Sequence, residues 1–169
     1  MEIERKFRVR GQPWRGGSRP IGVAMRQGYL ASTPVAVVRV RVTETAAWLT
    51  VKGPTRGISR DEFEYPIPSA EGKALLELCG ERVIEKTRYA LEEQGSRFEV
   101  DVFEGRNAGL VVAEIELRDP EQVFPRPNWL GEEVSEDARY RNSELSVHPY
   151  SEWSEESSAR SGTEASSSS

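Results

Sequence analysis

An alternation of charged and apolar residues recurs along the chain as far as about residue 118, and it constrains the fold more than any single motif. Glu2, Glu4, Lys6 and Arg8 alternate with Ile3, Phe7 and Val9, with Arg5 the one break in the apolar set. A period of two marks a strand whose two faces meet different surroundings. Further strands are expected at about 22–31, 36–43, 48–52, 62–65, 82–91, 96–104 and 110–118. Eight strands in order, mostly joined by short turns, predict a mainly β (α+β) protein. The natural solution is an eight-stranded antiparallel β-barrel or tunnel with a few flanking helices. Closure removes exposed edges, and eight strands leave room for side chains or one small ligand.

The helices are few. Ser69 to Gly80 is the clearest, with Ser69 as its cap, Leu75, Leu76, Leu78 and Cys79 as its apolar face and Gly80 at its end. Asp119-Pro120-Glu121-Gln122 reads as a second helix start, and a last helix is expected from Ser135 to about Ser146. Residues 11–20 form a loop or at most a helical turn, and 53–60 a flexible basic loop.

Six of the eight strands carry a like-charge pair two residues apart: Glu2/Glu4, Arg39/Arg41, Glu62/Glu64, Lys86/Arg88, Glu99/Asp101 and Glu114/Glu116. For any one strand a solvated polar face is the simpler reading, but protein surfaces normally intersperse signs. Repeated like pairs point to a charged interior whose ligand carries both signs. A metal–polyanion complex fits, with carboxylates taking the cations and Arg or Lys the phosphate oxygens. The basic residues number 23, of which only Lys6, Lys52, Lys73 and Lys86 are lysines. Three of these fall on the polar strand faces, where a compact charge with a tunable pKa is useful.

Composition sets the outer limits. The 169 residues suit one domain, 1–150, and a Ser- and Glu-rich tail, 151–169, expected to be disordered for want of apolar residues. Neither a membrane-length apolar run nor a signal peptide is present, so no membrane partner and a cytoplasmic location are expected. Cys79 alone excludes an internal disulfide, and with the single His148 it excludes a Cys/His zinc site. A net charge of −5 argues against nucleic-acid binding.

With these segments in view, the chain resembles a CYTH-domain protein of the triphosphate tunnel metalloenzyme superfamily, most of all the short bacterial inorganic tripolyphosphatases. The resemblance lies in EIERK at 2–6, RQGYL at 26–30, VRVR at 38–41, LTVKG at 49–53, SRDEFEY at 59–65, EKTRY at 85–89, EVD at 99–101 and AEIEL at 113–117. It implies a tunnel domain over 1–150 that hydrolyses a triphosphate with Mg²⁺ or Mn²⁺, most simply tripolyphosphate to pyrophosphate and phosphate. Lys6, Arg39, Arg41, Lys52, Lys86 and Arg88 would cradle the substrate. Glu2, Glu4, Glu62, Glu64, Glu114 and Glu116, supported by Asp101, would hold metal. Tyr29 is a candidate proton acceptor, and Lys52 and Lys86, each depressing the other's pKa, are alternatives. Glu99 is read as structural, Arg60 as steering substrate, and Lys73 has no evident role. The expected partner is a small-molecule triphosphate, and the protein a monomer or homodimer. Alternatives are a class IV adenylyl cyclase, a thiamine or nucleoside triphosphatase, and a non-catalytic polyphosphate-binding module. Met1 directly before Glu2 leaves no His-Phe element of the cyclase kind, and both carboxylate sets argue for an enzyme. The chain departs from the family pattern at Glu144, often Asn, and at residues 15–18, often a short helix.

Overall fold

The structure, a computed structural model, describes residues 1–17 and 20–153. The expected alternation is present as β1 (Glu2–Val9), β2 (Val23–Ser32), β3 (Val37–Thr43), β4 (Ala47–Lys52), β6 (Glu62–Ile67), β7 (Val83–Glu93), β8 (Ser96–Phe103) and β9 (Val111–Glu116). Two short strands add to these eight, β5 (Ser59–Arg60) and β10 (Leu130–Glu133). All pairings are antiparallel, in the order β10-β1-β9-β8-β7-β2-β3-β4-β6. The sheet does not close into a complete barrel, because β6 ends the ladder without pairing to β1. Instead β5, joined to β6 through Asp61, pairs with β1 at Glu2↔Arg60 and Ile3↔Ser59. Pro66 is tolerated inside β6 because a terminal strand has one edge free of ladder bonds.

Three apolar clusters fix which way the strands face. Phe7, Phe98, Val100, Ala113 and Ile115 are buried together under Phe124, Leu130 and Trp14. The covering segment is not the helix expected from Asp119. The Asp119 carbonyl accepts from Gln122 N–H in a single turn, and Pro125 and Pro127 then deny the helix its hydrogen bonds. On β3 and β4, Val40, Val42 and Ala47 pack against Leu76 of helix α1 (Ser69–Leu78) and against Cys79, which follows its last residue. Ser69 does not cap that helix. It is the first helical residue after Pro68, and its hydroxyl lies 3.4 Å from the Thr45 carbonyl; Gly80, at φ +61°, follows the helix end as expected.

The third cluster closes one end of the tunnel. Ile84, Phe103 and Val112 lie on the same strand faces as Lys86, Asp101 and Glu114, and they bury against Val134, Tyr140 and Leu145. The plugging segment was expected as one helix from 135 to 146. It is a 3-10 turn at Ala138–Tyr140 followed by a one-turn helix α2 (Asn142–Leu145). The Asp137 carboxylate caps the first piece at Arg139 N–H, and the extended backbone of Arg141 separates the two. Beyond it Trp153 packs edge-on against Tyr140 and Tyr150, at 5.0 and 5.1 Å. Of the tail expected over 151–169, residues 154–169 lie outside the described residues. No helix among the described residues is long and apolar enough to cross a membrane.

Candidate active site

The inner strand faces enclose a cavity of about 430 Å³. Glu2, Glu4 and Lys6 reach it from β1, Tyr29 from β2, Arg39 and Arg41 from β3, and Lys52 from β4. Glu62 and Glu64 enter from β6, Lys86 and Arg88 from β7, and Glu114 and Glu116 from β9. Asp101 is not among the lining residues. Its oxygens face Lys86 and Arg88 instead. Glu99, read as structural, does line the cavity.

One wall is acidic. Glu4 stands opposite Glu116, and Lys6 opposite Glu114, across the β1–β9 ladder. Burial and then the nearby Glu114 and Glu2 push the Glu4 carboxyl up to about 7, against the pull of Lys6 and Lys52. Glu114 behaves oppositely. Burial raises its pKa, but Lys6, Arg88 and Lys86 outweigh burial and hold it below the usual carboxylate range. Its oxygens lie 3.5 Å from Lys6 Nζ and 3.6 Å from Arg88 Nη2.

The facing wall is basic. Arg39 Nη2 donates to Thr50 Oγ1 at 3.2 Å, and the guanidinium of Arg41 lies 5.0 Å over the Trp48 ring. Both arginines reach Glu64, at 3.6 and 3.5 Å, yet the buried Nε of each has no hydrogen-bond partner among the described residues. A buried donor without a partner is costly, so these two are suited to an anion. Lys52 lies 3.2 Å from Glu2 and 4.0 Å from Glu62. Burial and then Arg39 lower its pKa to about 8. Lys86, 1% exposed, is also brought to about 8, by burial and Arg88 against the opposing effect of Asp101. The two lysines are therefore depressed chiefly by burial and by arginines, not by each other as expected. Tyr29 is buried, and burial raises its pKa despite Arg39, which favours the protonated phenol. Gln27 Nε2 lies 3.5 Å from its hydroxyl.

Further polar lining residues had no role from the sequence or only a minor one. Arg60 reaches Glu2 at 3.4 Å, which ties the loop before β6 to β1. Arg141, Asn142 and Ser143 line the cavity from the plug. No strand periodicity points to them, because they enter the tunnel end-on from a segment that crosses it.

The family model for the CYTH domain matches residues 1–150. The chain belongs to the CYTH domain family. A relative from Acetivibrio thermocellus, named inorganic triphosphatase, is 48% identical over 155 residues, covering 91% of this chain and 98% of its own. Another inorganic triphosphatase, from Nitrosomonas europaea, is 38% identical over 151 residues, covering 86% and 97%. A crystal structure titled as an inorganic triphosphatase superposes with a TM-score of 0.65 at 36% identity, over 87% of this chain and 95% of that one.

The CYTH tunnel can be tested for its fit to a divalent cation. Among the described residues no three carboxylates, histidines or cysteines are gathered closely enough to hold a metal by themselves. A Mg²⁺-type ion needs only one or two carboxylates, sharing its other positions with substrate phosphates and water. The raised pKa of Glu4 is a sign of fit, since burial first and then the neighbouring Glu114 and Glu2 disfavour its charge, and a cation beside it would relieve both. The donors are all hard oxygens.

Proposed function

We propose that the protein hydrolyses a triphosphate, foremost inorganic tripolyphosphate to pyrophosphate and phosphate, with Mg²⁺ or Mn²⁺ as cofactor. The observation that carries this reading is the two-signed tunnel, with Glu4 and Glu116 paired on one wall and partnerless Arg39 and Arg41 Nε donors on the other. The names of the Acetivibrio and Nitrosomonas relatives support it.

In this reading one or two carboxylates at a time from the set Glu2, Glu4, Glu62, Glu64, Glu114 and Glu116 would hold a metal ion, which when bound would neutralise phosphate charge and supply a water of lowered pKa. Arg39, Arg41 and Arg88 grip non-reacting phosphate oxygens with fork-shaped donors. Lys6, Lys52 and Lys86 place point charges where negative charge builds, and Arg60 and Arg141 extend the positive field to the ends of the tunnel. Water attacks the terminal phosphorus in line, the bond to the bridging oxygen breaks, and that oxygen departs on pyrophosphate. Lys52 and Lys86, with pKa near 8, are the groups best placed to hold or move a proton during that exchange.

Among the described residues Tyr29 is the one aromatic side chain lining the cavity, so they offer a nucleobase no stacking slot beside the phosphates. Phosphate release is measured with tripolyphosphate, ATP, thiamine triphosphate and pyrophosphate, with and without Mg²⁺ or Mn²⁺. Tripolyphosphate is expected to give the highest kcat/KM, and no substrate to turn over without metal. Equal or better turnover of ATP, or cyclic AMP as its product, would sink the assignment.

A further inference from the structure

Asp101 lies on β8 directly opposite Arg88 of β7, at 1% exposure. Its Oδ1 accepts from Arg88 Nε at 2.7 Å, and its Oδ2 from Arg88 Nη2 at 2.9 Å and Lys86 Nζ at 2.7 Å. Such a two-pronged carboxylate–guanidinium pair fixes the plane of the guanidinium as well as its place. Arg88 Nη1 is then aimed at Glu99, 2.7 Å away, and Nη2 lies 3.6 Å from Glu114, both on the cavity wall. The Lys86 ammonium is held between Asp101 and Asn142 Oδ1, which is 3.4 Å away on the plug.

We infer that Asp101 is a positioning residue, holding Arg88 and Lys86 at fixed points on the tunnel wall, and that it ligates no metal. Its catalytic meaning rests on the triphosphatase reading. Lys86 and Arg88 are like charges two residues apart, and a carboxylate between them lets both stand side by side in a buried wall. A cation at Asp101 would have to displace two charged donors from a site closed to water. Buried ion pairs add little net stability over an apolar core, so the geometry they impose is the better account of this one. Phosphoryl transfer depends on such placement, because its catalysis is mostly positional and electrostatic.

Asp101→Asn keeps the size and removes the charge. It is compared with Arg88→Gln and the double variant, in steady-state kinetics on tripolyphosphate over a range of metal concentrations. The Arg88 Nε–H resonance is followed alongside. We expect kcat to fall about 10²-fold, the scale of a small misplacement at a catalytic centre. The metal concentration for half-maximal rate stays as in the unsubstituted protein, and the double variant is no slower than Arg88→Gln alone. The Nε–H resonance, protected from exchange in the unsubstituted protein, becomes exchange-broadened in Asp101→Asn. A raised metal requirement rescued by excess Mn²⁺ would make Asp101 a ligand and overturn the inference. Additive losses with an unchanged Arg88 resonance would overturn it too, leaving packing alone. Should Asp101→Asn not fold, Asp101→Glu, which keeps the charge but moves it by one methylene, is read by the same criteria. If the unsubstituted protein releases no phosphate from tripolyphosphate, the triphosphatase reading falls, while the Arg88 resonance still decides the role of Asp101.

Discussion

Glu4 is held in a state that folding alone would not choose. Its pKa is about 7 in the folded chain against an ordinary 4.5, with burial the main cause and Glu114 next. Below pH 4.5 the carboxyl is protonated in both the folded and the unfolded chain and contributes no difference. Between pH 4.5 and 7 the folded chain binds the extra proton, so stability falls as pH rises through that window, by roughly 3 kcal/mol in all. Glu4→Gln removes this penalty. In metal-free buffer with chelator it is expected to melt several degrees higher at pH 8, at about 2–4 °C per kcal/mol for a chain of this size. The gain should vanish near pH 4.5, and metal-dependent activity should be lost. Melting curves of both proteins across pH test this, and an advantage independent of pH would contradict it. If Glu4 holds metal as proposed, the charge that would bind the ion is also the charge that strains the fold. How far such residues can be read from sequence depends on parity. Period two places Glu99 and Asp101 on the same inner face, and no periodicity distinguishes them. Cross-strand register does, because Arg88 stands opposite Asp101 and takes both its oxygens, whereas Glu99 stands opposite Ala90 and Glu114.

At the scale of an element, α1 shows how the outer packing keeps the inner face in register. Gly72 faces the sheet so closely that a Cβ there would stand 2.4 Å from Ala47 Cβ and 3.3 Å from Val42 Cγ2. Alanine is the better helix former by roughly 0.5–1 kcal/mol, but overpacking a seam like this costs about 1–3 kcal/mol. Gly72→Ala is therefore expected to lower the melting temperature while kcat on tripolyphosphate stays unchanged, since α1 packs on the outside of the tunnel wall. A stabilised variant would show that the helix lifts away at no cost. The helix itself was legible from its run of leucines and its closing Gly80, as were the eight long strands from their alternation. The two short strands were not. β10 is Leu-Gly-Glu-Glu, with no alternation, and β5 is two residues long; both exist because β1 offers them an edge. Asp119-Pro120 carried a sound local helix signal that tertiary context overrode, because Phe124, a few residues on, is needed between Phe7 and Phe98, at centroid distances of 5.8 and 6.4 Å.

For the whole molecule, the sheet is open between β6 and β1 apart from the two-residue bridge of β5, and much of what faces across the tunnel is charge. Lys52 reaches Glu2 across that seam at 3.2 Å, and Arg60 reaches it at 3.4 Å. A ligand carrying both signs therefore joins walls that the backbone ladder leaves unconnected. A metal ion alone relieves the carboxylates but leaves the arginines without an anion. A triphosphate alone satisfies the basic wall but adds negative charge beside Glu4 and Glu116. Only the complex satisfies both, so binding of each is expected to strengthen the other, and by linkage the effect is reciprocal. A triphosphate analogue with carbon in the bridging positions lets this be read without turnover. At about 100 times its dissociation constant a ligand stabilises by roughly 2.7 kcal/mol. At about 2–4 °C per kcal/mol, that is a rise of about 5–11 °C in melting temperature. The expected result is a rise with Mg²⁺ and analogue together that exceeds the sum of the rises with each alone. Calorimetric titration of the analogue should show tighter binding with Mg²⁺ present, by the factor that the analogue confers on Mg²⁺. If the two shifts merely add, the acidic and basic walls serve separate ligands, and the tunnel is not a single site for a metal–triphosphate complex.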